Sequence, residues 1–109
     1  MKEIKAFVHR NRVADIVHAL RNADFCSGIC NLSVVDVTGT LQALDTKEQS
    51  FSLELGQEAI TEVKLELVCE DDRADEAVRI IREKGRTGQK TAGWIFINDI
   101  GAAYRIDAD

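Results

Sequence analysis

The chain repeats its own pattern, and the repeat restricts the folds open to it. Ile4, Ala6 and Val8 alternate with Lys5, Phe7 and His9. Val63-Lys64-Leu65-Glu66-Leu67-Val68-Cys69 alternates in the same way, so each segment reads as a strand with one apolar face. Val13, Ile16, Val17 and Leu20 then fall at i, i+3, i+4 and i+7, and so do Ala74, Ala77, Val78 and Ile81. Each set is one buried stripe on a helix. Ile4 matches Leu65, Ala6 matches Leu67, Val17 matches Val78 and Leu20 matches Ile81, always 61 positions later. A further strand follows each helix, Leu32 to Val37 in the first half and Trp94 to Ile100 in the second. The order βαββαβ belongs to the α+β class and suits a ferredoxin-like sandwich, an antiparallel sheet with two helices on one face. Asn11 and Asp72 are the expected N-caps, with Asp75 at the third position of the second helix. The first helix should end near Asn22-Ala23. Gly85 is the expected C′ residue of the second, with Arg79, Arg82 and Lys84 in its last turn. The other sheet face, carrying Phe7 or the alternate set according to register, is left bare. Cover from sister subunits is the simplest way to close it.

One hundred and nine residues make a single domain, 1–109, with one modest core. Hydrophobic content of 45% and charge of 30% exclude a disordered chain. No apolar run approaches the ~20 residues of a membrane helix, so direct membrane insertion is not expected. Met1-Lys2-Glu3-Ile4-Lys5 lacks a secretory apolar core, which places the chain in the cytoplasm. A net charge of −5 argues against nucleic acid as a partner. Three cysteines, an odd number, point to free thiols rather than a disulfide framework.

Two segments lie outside the repeat. Thr87-Gly88-Gln89-Lys90-Thr91-Ala92-Gly93 is a loop bracketed by glycines, which allow positive φ and close approach to backbone. The bulky Trp94-Ile95-Phe96-Ile97 that follows reads as a buried strand, with Trp94 inside it. Between the halves, residues 39–62 form a connection too long for a plain hairpin and therefore functional or mobile. Within it Phe51, Leu53 and Leu55 alternate with Ser52 and Glu54. They form a hairpin arm, a strand that orders on a partner, or a surface packed on a neighbouring subunit.

This pattern resembles the PII signal-transduction family over nearly the whole chain. From Gly39 to Arg105 the family pattern lies on the sequence without a gap. It takes in the Gly opening the long loop, Val63-Lys64, Asp71-Asp72, Thr87-Gly88, Gly93, Ile95-Phe96, Asp99 and Arg105-Ile106. Lys2 to Leu20 also fits, and Asn31-Leu32-Ser33-Val34 fits after four extra residues around Cys26 to Cys30. The resemblance implies a non-enzymatic homotrimer that binds adenine nucleotides in clefts between subunits. Its long T-loop, 39–62 here, would engage a membrane transporter or metabolic enzyme, with Phe51, Leu53 and Leu55 as the partner-binding residues. It further implies a cleft walled by Thr38, Gly39 and Thr40 of one chain and by the loop carrying Thr87, Gly88 and Gly93. Arg105 and Lys90 would supply positive charge.

Departures from the family narrow the expected ligand. Leu55 stands at the T-loop position of the tyrosine that many members have uridylylated. The only tyrosine, Tyr104, falls in the last strand, so that modification is not expected. Family lysines become Glu62, Gln89 and Trp94, the T-loop arginine becomes Gln42, and one of two C-terminal arginines becomes Asp107. A triphosphate site is built from cations and backbone donors. Losing two charge-assisted contacts at about 1.5–3 kcal/mol each weakens binding by orders of magnitude. Weak ATP binding is expected, with AMP, ADP, a cyclic nucleotide or another small anionic effector in its place.

Other chemistry is thinner. Cys26 and Cys30 are spaced C-x3-C, not the C-x2-C of common zinc ribbons. They read as plain packed or exposed thiols, as a metal site or as a reversible disulfide, and the metal reading brings an alternative identity as a metal-responsive trimeric module of the metal-tolerance or metal-efflux kind. His9, His18 and Cys69 are the other soft donors, with His18 read as solvated and Cys69 as core. No nucleophile and base share a motif.

Overall fold

The computed structural model describes residues 1–25 and 31–107. Its elements run β1 (Lys2–Val8), α1 (Val13–Asn22), β2 (Asn31–Gly39), β3 (Ser50–Ser52), β4 (Gln57–Cys69), α2 (Ala74–Lys84) and β5 (Trp94–Asp99). The main sheet is ordered β2-β4-β1-β5 with antiparallel neighbours throughout, and β3 pairs with the outer end of β4. The strands that open the two repeats therefore lie side by side at the centre. Ile4 pairs with Leu67 and Ile97, and Ala6 with Leu65 and Ile95. Alternation sends Ile4, Ala6, Val8, Val63, Leu65, Leu67 and Cys69 to one face. There they are buried against Ile16 and Leu20 of α1 and Ala77, Ile80 and Ile81 of α2. Full burial of each large aliphatic side chain contributes roughly 1.5–3 kcal/mol. The result is the ferredoxin-like α+β sandwich that the repeat specifies.

The opposite face carries Phe7, Trp94 and Phe96. Phe7 and Phe96 meet edge-on with centroids 6.1 Å apart, and Trp94 stacks on Phe96 at 6.4 Å. Ion pairs join Lys5 to Glu3 at 3.6 Å and Lys64 to Glu66 at 3.2 Å, beside the rings in the ladder. Trp94 is 59% exposed rather than buried, because β5 is an edge strand and this face has no second layer within the protomer.

The helix starts differ from the sequence expectation, and they differ in the same way in both halves. A 3₁₀ turn, Arg10–Arg12, leads into α1, and another, Asp71–Arg73, leads into α2. Asn11 and Asp72 lie inside these turns and cap neither helix. The Arg12 amide donates to His9 O at 3.0 Å and the Arg73 amide to Glu70 O at 3.0 Å, so the end of each strand takes over the cap's role. Asp71 instead accepts from the N-terminal amine, a bond that holds its carboxyl below the usual carboxylate range. Gly85 ends α2 in right-handed geometry, not the left-handed C′ form. Tyr104 lies beyond the last strand, which ends at Asp99.

The two lead-in arginines bridge the halves. Arg12 Nε donates to Lys84 O at 3.0 Å, at the end of α2. Arg73 donates to Ala23 O at 2.7 Å and Asp24 O at 3.0 Å, at the end of α1. Ala23 and Lys84 are again 61 positions apart, so each half closes the other's helix at equivalent carbonyls. Arg73 also lies 3.9 Å from the Phe25 ring centroid and pairs with Glu76 at 3.0 Å.

The connection after β2 is shorter than 39–62. β4 begins at Gln57, because Val37, Thr38 and Gly39 of β2 pair with Glu62, Thr61 and Ile60. β3 and the start of β4 form a hairpin arm that turns at Leu53–Gly56. The Ser52 hydroxyl accepts from the Leu55 amide at 3.2 Å and donates to Glu54 at 3.2 Å. The molecule measures 47 Å along its longest axis, and its radius of gyration is 15.3 Å, against about 13 Å for a compact chain of this length. Arg73→Ala should lower unfolding free energy by about 2 kcal/mol in chemical denaturation, since it removes two charged bonds to carbonyls and a ring contact. Arg73→Lys should recover less than half of that, because an ammonium cannot fork between two carbonyls.

Candidate functional site

A cavity of about 630 Å³ opens beneath the glycine loop, between α2 and β5. Its apolar lining is Val8, Val78, Ile81, Ile95 and Ile97, and Arg82, Arg86 and Lys90 add three cations. The apolar side chains come from the core-facing rows of strand and helix where the sheet edge leaves them partly uncovered. The cations come from the last turn of α2 and the loop after it. Such a cavity suits an anion with an apolar or aromatic body.

The loop's glycines hold it against the sheet. A Cβ at Gly93 would stand 2.1 Å from Phe7 O, so only glycine lets this backbone lie on β1. Gly88 takes φ 88°. Between them, Gln89 is held from both ends. Its Oε1 accepts from the Thr87 hydroxyl at 2.8 Å, and its Nε2 donates to Gln42 O at 2.9 Å and Ala43 O at 3.3 Å. The glycine loop thus grips the root of the long connection.

That root frames a second cavity of about 320 Å³, lined by Thr38, Gly39, Thr40, Leu41, Leu55, Glu62, Phe7, Trp94 and Phe96. Glu62 is 4% exposed and its Oε2 meets no hydrogen-bond partner. Burial pushes its carboxyl above the ordinary 4.5, against the opposing pull of the Leu41 and Thr40 amides. Farther along, Asp45 accepts from the Lys47 amide at 2.8 Å and starts a short turn that carries Glu48 to within 3.4 Å of the buried His9 Nδ1. His9 is an anchor for the connection.

The sequence-derived residues are distributed as follows. Gly88, Lys90 and Gly93 line the first cavity, and Thr87 orients Gln89 beside it. Thr38, Gly39 and Thr40 line the second, and Trp94 walls both. One protomer does not merge the two cavities. Arg105 lines neither, being exposed and bonded to Asp107 at 2.7 Å. Phe51 and Leu53 are exposed at the arm's end, and Leu55 turns toward the second cavity. Cys26 and Cys30 lie outside the described residues. Cys69 is buried, which pushes its thiol up, and His18 is exposed. Among the described residues no three His, Cys, Asp or Glu side chains gather as metal ligands, and no helix is long and apolar enough to cross a membrane. Three contributors escape the sequence reading: Arg86, the grip of Gln89, and the unpaired burial of Glu62. An amide in a glycine loop carries no signal of what it will reach.

The protomer is thus a ferredoxin-like domain with a glycine loop over a cationic cavity and a projecting arm. The sequence profile of the family described as nitrogen regulatory protein P-II matches residues 1–109. A nitrogen regulatory protein P-II 1 of Methanothermobacter thermautotrophicus is 29% identical over 97% of this chain and 89% of its own length. Nitrogen regulatory proteins P-II of Microchaete diplosiphon and Rhodobacter capsulatus are each 30% identical over 97% of this chain and 91% of theirs. The chain belongs to the P-II family of signal-transduction proteins. This membership does not favour the metal-responsive alternative.

Gly93→Ala should destabilise the fold by about 2 kcal/mol or more, since backbone rather than a side-chain tip must move; thermal unfolding measures it. In the folded chain Glu62 holds its proton more tightly than in the unfolded chain. The folded state therefore binds more protons from pH 4.5 up to its raised pKa, and stability falls as pH rises through that window. Glu62→Gln should flatten this slope in denaturant titrations and raise stability at pH 7 by about 1 kcal/mol.

Proposed function

We propose that this chain is a cytoplasmic signal-transduction regulator, assembled as a homotrimer, that senses a small anionic effector in clefts between subunits. It passes occupancy to a membrane transporter or a metabolic enzyme through the 40–56 connection and its arm. The observation that carries this reading is the hold of Gln89 on the Gln42 and Ala43 carbonyls, which makes the glycine loop and the connection one mechanical unit. An effector that draws the loop toward Arg82, Arg86 and Lys90 shifts Gln89 and releases the connection, a switch by local ordering. The bare aromatic face supports trimer formation, since sister chains would cover Phe7 and Phe96. Phe51 and Leu53, exposed at the arm's end, are the contact offered to the target.

The effector we assign is AMP or ADP. Three cations suit one or two phosphates, while Glu62 and Asp107 add negative charge and Asp107 already holds the Arg105 guanidinium. Titration calorimetry should show AMP or ADP binding more tightly than ATP, and a Lys90→Ala, Arg86→Ala variant about tenfold weaker or more. Gln89→Ala should keep affinity within about threefold, while residues 40–56 lose the ligand dependence of their amide exchange. Absence of heat with every adenine nucleotide would refute the effector assignment, and a monomer in sedimentation the assembly.

A further inference from the structure

The second cavity holds a carboxylate that does not line the cationic cavity. Glu62 is nearly sealed from water and its Oε2 has no hydrogen-bond partner. Among the described residues it makes no ion pair, and no lysine or arginine lines the cavity. Taking a carboxylate out of water costs several kcal/mol, which the Leu41 and Thr40 amides, the hydrogen-bond donors it does have, offset only in part. Gly39 makes the placement possible: a Cβ there would lie 1.2 Å from Glu62 Oε1, so the carboxylate rests on bare backbone. Around it stand the rings of Phe7, Trp94 and Phe96. A buried carboxylate among aromatic rings is the chemistry that receives a cation: the rings attract positive charge and the free oxygen accepts an N–H bond.

We propose that the Glu62 cavity binds a small organic cation bearing N–H donors, a primary ammonium or guanidinium on a short apolar body. The free Oε2 selects for N–H, which a quaternary ammonium lacks. The rings select for an apolar body, which a hydrated metal ion lacks. At about 320 Å³ the cavity lies at the small end of ligand sites. One protomer supplies every lining residue, none of them a cation of the first cavity, and in the proposed trimer a sister chain lies beside the site over Phe7 and Phe96.

Trp94, the chain's single tryptophan, lines the cavity and reports on it. Titration with n-butylammonium or methylguanidinium should give a saturable change in its fluorescence. Tetramethylammonium should bind about tenfold more weakly or worse. Glu62→Gln, isosteric and neutral, should weaken n-butylammonium about tenfold or more, with the circular dichroism of the native chain retained. Gly39→Ala, which drives the carboxylate out of place, should do the same. The proposal is overturned by no saturable change with either amine, by equal binding of tetramethylammonium, or by unchanged affinity in Glu62→Gln. It is also overturned if Glu62→Gln weakens self-association while no free amine binds, since a sister chain's basic side chain would then be the occupant.

Discussion

Everything in this molecule hangs on the pairing of β1 with β4. These are the opening strands of the two repeats, and they meet in the middle of the sheet, where each supplies half of the buried row under the helices. Neither repeat can make its own sheet, because its two strands are not neighbours: β4 separates β1 from β2, and β1 separates β4 from β5. Each half supplies the partner its counterpart lacks. The core is therefore shared from the first contact, and the reciprocal bonds of Arg12 and Arg73 repeat that sharing at the helix ends.

The same pairing sets up the binding surfaces. β1 fixes Phe7 on the bare face and passes so close to Gly93 that a Cβ there would meet the Phe7 carbonyl, so the glycine loop lies against the central sheet. Trp94, the next residue, separates the two cavities, with cations on one side and the Glu62 carboxylate on the other. Trp94 thus borders cavities of opposite charge, and Gln89 ties the glycine loop to the long connection. Local unfolding of that connection breaks few buried contacts beyond those of His9, Glu48, Ser52 and Gln89, which puts its opening free energy at the low end for this fold.

The elements with strong periodicity were legible from residues alone. The strand alternation and helical stripes placed β1, β4, α1 and α2 and their buried faces, and the family pattern agrees with the profile that matches the whole chain. Asn11 and Asp72 satisfy a local capping rule, but strand-end carbonyls already hold the lead-in turns and neither side chain caps its helix. β propensity does not distinguish an edge strand from a central one, so it buries Trp94, which the sheet edge leaves exposed. The arm's root escapes the sequence reading because Gln57-Glu58-Ala59-Ile60-Thr61-Glu62 lacks strand alternation and resembles a loop until β2 pairs with it. Gln89 and Glu62 look like mere losses of family lysines in one dimension. Their roles, a grip and an unpaired buried charge, exist only once residues far apart in sequence meet.

The exchange of arginine caps carries an evolutionary consequence. A lone unit of half this length, holding one strand, one helix and one lead-in arginine, would have both the sheet edge and the guanidinium that its twin requires. Two such units would close on each other about a twofold axis, each capping the other's helix, before any chain joined them. Fusion of two such units would turn the dimer interface into a core, with the connection between β2 and β4 as the joint.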